Sequence, residues 1–302
     1  MCSYSFLRNK DVREKFREEF PKPTFSIKKE ILCPPLTQHY SDVGIAFDKI
    51  LRIYIMLLNP QQTFTQKWFA KRVVELLSES NYASFLEKEI EINDEVIKNA
   101  LLNINYKNLY GRLYGRLYGR LDKNDIEDLK NLISLIDPNL FRTKNICILN
   151  PRFYVTRGAE ADLVIDDALI DIKTTISPKF DRKYFNQLMG YYTLYRIGGI
   201  IGASLENKIN KVGIYFSRFG YLYLMELKDI INENRFSKFI EWFKERGKIY
   251  YLNYDPIEYK KFIEWFKERT KIYDLKRMLI KYKKSDAFFI SEPKLKYFLN
   301  HH

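Results

Sequence analysis

The spacing of apolar and polar positions changes character along the chain. Val43, Phe47, Ile50, Leu51 and Tyr54 recur at helical spacing and mark one face of a helix. Ser41 is placed to cap it, and Asp42 suits its first turn. Helical patterns continue through residues 62–105, as in QKWFAKRVVELL and ASFLEKEIEI. From Cys147 the period shortens. Ile148–Leu149, Phe153–Val155, Ala161–Ile165 and Ala168–Thr174 are short, β-branched or aromatic runs bounded by Pro, Gly or Asp, and they predict strands. Asp166-Asp167 reads as the turn between the last two. Asp181–Arg196 is again helical, and Lys211–Ser217 with Tyr221–Glu226 predict a hairpin around Arg218-Phe219-Gly220. Past about residue 229 the chain is helical and charged. The opening segment mixes charge with Pro21, Pro23, Pro34 and Pro35 and reads as an arm. Together these elements predict an α/β fold in which a small mixed sheet is flanked by helices. The expected parts are a mostly helical N-terminal region over 1–145, a core over 146–228 and a helical C-terminal region over 229–302.

Two internal repeats interrupt this plan. LYGRLYGRLYGRL spans Leu109–Leu121, and as a helix it would align Arg112, Arg116 and Arg120 in one basic ridge. Its glycines weaken such a helix by roughly 1 kcal/mol each, so a tolerated surface expansion is the plainer reading. KFIEWFKER occurs at Lys238–Arg246 and again at Lys261–Arg269. Both copies are amphipathic, and two similar helices covering the core explain Phe239, Trp242 and Phe243 better than base stacking does.

Composition narrows the setting. Lys+Arg is 51 against Asp+Glu 38, a net charge of +13, which suits a polyanionic partner such as nucleic acid. A Lys-rich surface from a basic or heat-adapted proteome gives the same excess, so charge alone assigns no function. The three cysteines, Cys2, Cys33 and Cys147, form no CxxC pair, so neither a disulfide framework nor a zinc finger is expected. A reducing, cytoplasmic location follows. The N-terminus reaches charged residues too early for a signal peptide, and the apolar run near Ile53–Leu58 is too short to span a bilayer. The absence of a GxxxxGK[ST] segment leaves ATP hydrolysis unsupported.

The chemistry concentrates in GAEADLVIDDALIDIKTT, residues 158–175. Asp162 lies on the first strand. Asp171 and Lys173, two apart on the second, share one face, while Ile170 and Ile172 face a packed layer. Two carboxylates bind hard cations through oxygen, and a bound cation stabilises charge on a scissile phosphate and activates water. The lysine can position that water and offset charge in the transition state. A surface ion pair on an edge strand is the structural alternative. Gln187 and Tyr191, four apart on the following helix, share a face with Tyr184, Leu188 and Tyr195 nearby, and can order such a site or a nucleic-acid strand. A partly buried amphipathic helix is the alternative there. Glu160 could substitute as a ligand.

An aspartate, then Asp-Ile-Lys on the next strand, then Gln-xxx-Tyr on a helix resembles the RecB-like branch of the PD-(D/E)XK nucleases over about residues 150–225. The longer runs NPRFYVTRGAEADLVIDDALIDIKTT, QLMGYYTLYRIGGI and KVGIYFSRFGYLYLMEL resemble an uncharacterised prokaryotic group within it. The resemblance implies a restriction-endonuclease-like core and Mg²⁺- or Mn²⁺-dependent hydrolysis of DNA, and favours single-strand or end-directed cutting, as by an exonuclease. It implies Asp162 and Asp171 as metal ligands, with Lys173, Gln187 and Tyr191 completing the catalytic set. In SDVGIAFDKILR, Asp48 stands four residues after Gly44, where RecB-like nucleases usually carry a histidine. It is either a further metal ligand or the partner of Arg52 at i+4. His39 does not fit that spacing. The absence of any cysteine after Cys147 removes the iron–sulfur cluster of some relatives. DNA is the implied partner, with a helicase or another repair or defence protein as a second, and no membrane. The other readings are a DNA-binding protein on an inactive nuclease fold and a partner subunit of a helicase–nuclease complex.

Overall fold

A computed structural model describes residues 9–24, 30–65, 123–153, 159–177, 179–201 and 208–254, with the side chains of 248–254 excepted. The helical patterns expected between 66 and 105, the LYGR repeat, the second KFIEWFKER copy, and Val155 of an expected strand lie outside the described residues.

The described helices are α1 (Lys10–Glu19), α2 (Tyr40–Leu58), α3 (Lys123–Ser134), α4 (Arg182–Gly198) and α5 (Glu233–Tyr254). The strands are β1 (Thr63–Phe64), β2 (Cys147–Leu149), β3 (Leu163–Ile165), β4 (Ala168–Lys173), β5 (Lys211–Phe216) and β6 (Tyr221–Glu226). They form one open mixed sheet in sequence order, β1 to β6. β1 runs parallel to β2 and β4 parallel to β5, and the other neighbours are antiparallel. The fold is therefore α/β, and α4 is the crossover that parallel β4 and β5 require. None of the described helices is long and apolar enough to cross a membrane.

The alternation of side chains along the strands divides the core in two. Leu163, Ile165, Ala168, Ile170, Ile172 and Tyr215 face a layer made with α2 and α3. Val164, Leu169, Val212, Ile214 and Phe216 face the other, covered by α1, α4 and α5. The turn at Asp166-Asp167 pairs Ile165 with Ala168, and Asp166 adopts φ 49°, a left-handed conformation that aspartate tolerates. The β5–β6 hairpin turns through Ser217–Phe219 and Gly220, whose φ of 52° suits glycine.

Four expectations change. The helix α2 begins at Tyr40 after His39, so Ser41 lies inside the first turn and is not its cap. The strand expected at Ala161 starts at Leu163; Ala161 and Asp162 bond to Pro151 and Asn150 beyond the end of β2, outside the regular register. Phe153 makes only an isolated bridge, to Ile200. The opening segment is not simply an arm. Val12, Phe16 and Phe20 lie along one face of α1 and its C-terminal end and are fully buried in one cluster, where Phe16 and Phe20 pack edge-on against Phe236, Phe239 and Phe243 of α5. The first KFIEWFKER copy is thus a core helix, with Trp242 also against this cluster.

One buried ion pair ties α3 to the hairpin, and hydrogen bonds add the segment at Leu32-Cys33. Arg218 meets the Asp128 carboxylate of α3 through both terminal nitrogens, at 2.8 and 2.9 Å, and also donates to the Cys33 carbonyl. In return the Arg218 carbonyl accepts from the backbone of Leu32 and Cys33. Each guanidinium and carboxylate nitrogen or oxygen so engaged keeps its charge balanced where water is excluded.

Candidate active site

The β4 strand is interior to the sheet, between β3 and β5, so Asp171 and Lys173 are not a surface pair on an edge. Asp171 is 2% exposed and Lys173 20% by side chain, with Lys173 Nζ 2.6 Å from Asp171 Oδ2. That ammonium is the partner of Asp171 Oδ2, a charge-assisted contact between the two side chains. A carboxylate in an apolar strand interior is costly unless something compensates it.

Asp162 completes the floor. β3 stops at Leu163, opposite Ile170, and the Asp162 carboxylate takes up the Ile172 N–H beyond that point at 2.7 Å. This bond holds the Asp162 carboxyl beside Asp171. Burial pushes the Asp171 carboxyl up to about 7, the adjacent Asp162 charge adds to the rise, and Lys173 offsets part of it. For Lys173, burial works against the charge, but Asp171 and Asp162 outweigh it and hold the ammonium above its usual range.

The helix α4 supplies the next side chains. Lys173 Nζ donates to Gln187 Oε1 at 3.2 Å, and Gln187 Nε2 donates to the Tyr191 hydroxyl at 3.0 Å. Lys173 also sits over the Tyr184 ring, 5.0 Å from its centre. Tyr191 stacks on Phe153. The helical spacing of Gln187 and Tyr191 therefore serves a polar chain that starts at Lys173, with the apolar side of α4 buried beneath it.

On the other side, α2 crosses close to the end of β4. A Cβ at Gly44 would stand 3.1 Å from the Thr174 Cβ, an approach that only glycine allows without displacement. One turn on, Asp48 contacts Arg52 at 2.6 Å, and the same Arg52 nitrogen reaches Asp162 Oδ1 at 2.9 Å. Burial raises the Asp48 carboxyl to about 6, with Arg52 opposing and Asp162 adding to the shift. Burial would lower Arg52, yet Asp48, Asp162 and Glu160 together hold it above its usual value. Asp48, Arg52, Asp162, Asp171, Lys173, Gln187 and Tyr191 thus form one continuous polar network drawn from α2, the β3–β4 pair and α4.

Two other sequence candidates lie outside the network. Glu160 spends both oxygens on Asn150 and Arg152, at 2.8 and 2.9 Å. His39 pairs with Asp125 of α3 across the start of α2. Arg52 is the member that spacing shows only in part. Its i+4 relation to Asp48 is local, whereas its bond to Asp162 depends on how α2 crosses the sheet.

Among the described residues no group of three or more His, Cys, Asp or Glu side chains is gathered to hold a metal ion, because Arg52 separates Asp48 from Asp162. Asp162 and Asp171 nevertheless fit a hard cation. They are paired oxygen donors, close enough that the Asp162 charge raises the Asp171 carboxyl. Side-chain exposures of 27% for Asp48 and 23% for Asp162, against 2% for Asp171, put the opening on the α2 side and Asp171 at the floor.

No protein-family model, no curated protein and no solved structure matches this chain significantly.

Proposed function

We propose that the chain is a metal-dependent nuclease of the PD-(D/E)XK kind, RecB-like, which hydrolyses phosphodiester bonds in DNA from a restriction-endonuclease-like core. The observation that carries this reading is the meeting of Asp162, Asp171 and Lys173 at the interior β3–β4 pair, with Asp171 buried beside a second carboxylate.

Asp162 and Asp171 are the residues to hold Mg²⁺ or Mn²⁺, with Asp48 bordering the position through Arg52. A divalent ion there supplies Lewis acidity toward a phosphate oxygen and toward water. Lys173 orients the attacking water and balances charge as it develops on phosphorus. Gln187 fixes the Lys173 ammonium, and Tyr191 fixes Gln187, so the amine is aimed before substrate arrives. The net charge of +13 favours a polyanionic substrate. Single strands or duplex ends in a cytoplasmic repair, recombination or defence process, with a helicase or similar protein as partner, complete the proposal.

The test is cleavage of labelled single- and double-stranded DNA, linear and circular, with Mg²⁺, Mn²⁺ or chelator. Cutting that needs metal and falls by at least about a hundredfold in Asp171→Ala and Lys173→Ala supports the assignment. Retained DNA binding without cutting moves it to an inactive nuclease fold that binds nucleic acid. A stoichiometric protein partner with negligible DNA binding moves it to a subunit role.

A further inference from the structure

The Arg52 guanidinium stands where paired carboxylates would otherwise gather around a second cation. One terminal nitrogen touches Asp48 at 2.6 Å and Asp162 at 2.9 Å, and the side chain is only 10% exposed. A guanidinium carries its charge at any physiological pH, donates through five N–H groups in its plane and ligates no metal. Its Nε has no partner, so the Asp48 and Asp162 contacts are what hold the group in place.

Charge leads to the same place. With every group ionised, as an ion competing with protons requires, Asp48, Asp162 and Asp171 against Arg52 and Lys173 leave a single net negative charge in the network. One divalent ion turns that into a single positive charge, the amount one phosphodiester neutralises. A second ion would crowd unscreened positive charge at close range in a poorly solvated site. Two-metal phosphodiesterases place their ions roughly 3.5–4 Å apart, bridged by shared carboxylates. Here Asp162 gives Oδ1 to Arg52 on the Asp48 side, whereas Oδ2, which accepts from the Ile172 N–H, keeps a lone pair for an ion on the Asp171 side.

We propose that Arg52 is a built-in cation filling the position between Asp48 and Asp162, so that the site takes one divalent ion, on the Asp162–Asp171 side, instead of two. This rests on the metal-dependent reading above. Asp48 acts as the positioning residue that pins Arg52 and does not ligate the ion. The arrangement exchanges a removable metal for a fixed charge on α2, and it makes the approach of α2 at Gly44 part of the site's electrostatics.

Titration of the full chain with Mn²⁺ alone, followed by electron paramagnetic resonance, tests this. The wild type is expected to take up one ion per chain, with no spin-coupled signal, and to lose it in Asp171→Asn. Arg52→Ala is expected to take up two ions and show coupling, returning to one in Arg52→Ala/Asp48→Ala. Two ions in the wild type overturn the inference and leave the metal-dependent reading standing. One ion in a folded Arg52→Ala protein overturns it equally. No uptake by either protein removes both. Should Arg52→Ala not fold, as circular dichroism would reveal, the decision passes to the wild type and Asp48→Asn, which must each bind one ion.

Discussion

Asp171 and Lys173 lie two residues apart on an interior strand with 2.6 Å between carboxylate oxygen and ammonium, yet that contact only partly offsets the burial of the carboxyl. Burial and the neighbouring Asp162 raise it to about 7, and burial raises Asp48 to about 6, both from an ordinary value of 3.8.

The sign for stability follows. The folded chain holds these protons more tightly than the unfolded chain does, so their contribution is full below the unfolded value and is lost as pH rises through about 6 and 7. In chelator, the melting temperature is expected to fall between about pH 5 and about pH 8, and Asp171→Asn to flatten the fall. Added Mg²⁺ should oppose it, stabilising more at the upper end because the ion competes with protons. Thermal melts across that range check both, and a wild-type slope unchanged in Asp171→Asn would rule the assignment out.

Gln187 links Lys173 to Tyr191. Gln187→Ala is expected to slow DNA cleavage by about 10- to 100-fold, as losses of outer supporting bonds do. Tyr191→Phe keeps the stack on Phe153 and is expected to cost less than that. Single-turnover rates give the comparison, and equal losses in the two variants would break the proposed order of support.

Arg218 and Asp128 are expected to be mutually dependent. With side-chain exposures of 1% and 0%, removal of either partner strands the other charge. Arg218→Ala should cost about 3–5 kcal/mol, whereas Arg218→Met with Asp128→Leu should recover most of it. Urea unfolding of the singles and the double decides, since additive losses would mean the pair is not coupled.

Phe239 touches both Phe16 and Phe20, with ring centres 5.1 and 4.9 Å away. Phe239→Ala should therefore destabilise by about 3–5 kcal/mol. Deletion of residues 1–20 should cost a similar amount, and a deletion that leaves the melting temperature unchanged would show that α1 is not docked in solution.

What the sequence made legible was local. Asp171 and Lys173 could be placed on one face because strand side chains alternate, and Gln187 and Tyr191 because helical neighbours recur at i+4. The Asp48–Arg52 contact was visible in the same way, as one of two alternatives. Its extension to Asp162 was not, because it needs the crossing of α2 over the sheet end, and no spacing rule encodes a crossing. Arg218 looked like a turn residue within Arg218-Phe219-Gly220, and its burial depends on Asp128 from a distant helix. The Val12, Phe16 and Phe20 series was readable at i, i+4, i+8. Its many charged neighbours gave the segment the look of an arm, although a surface helix carries charge on its outer face.

The docking of α1 on α5 has a consequence for how the chain is made. Contacts between Phe16 and Phe243 join nearly opposite ends of the described chain, and such distant partners close late and slowly. A growing polypeptide displays Val12, Phe16 and Phe20 as an uncovered apolar stripe until α5 has emerged. A product truncated before Phe236 never covers it. A helix made before the sheet is thus among the last described elements to reach its place, and truncation products should be recovered chiefly as aggregates.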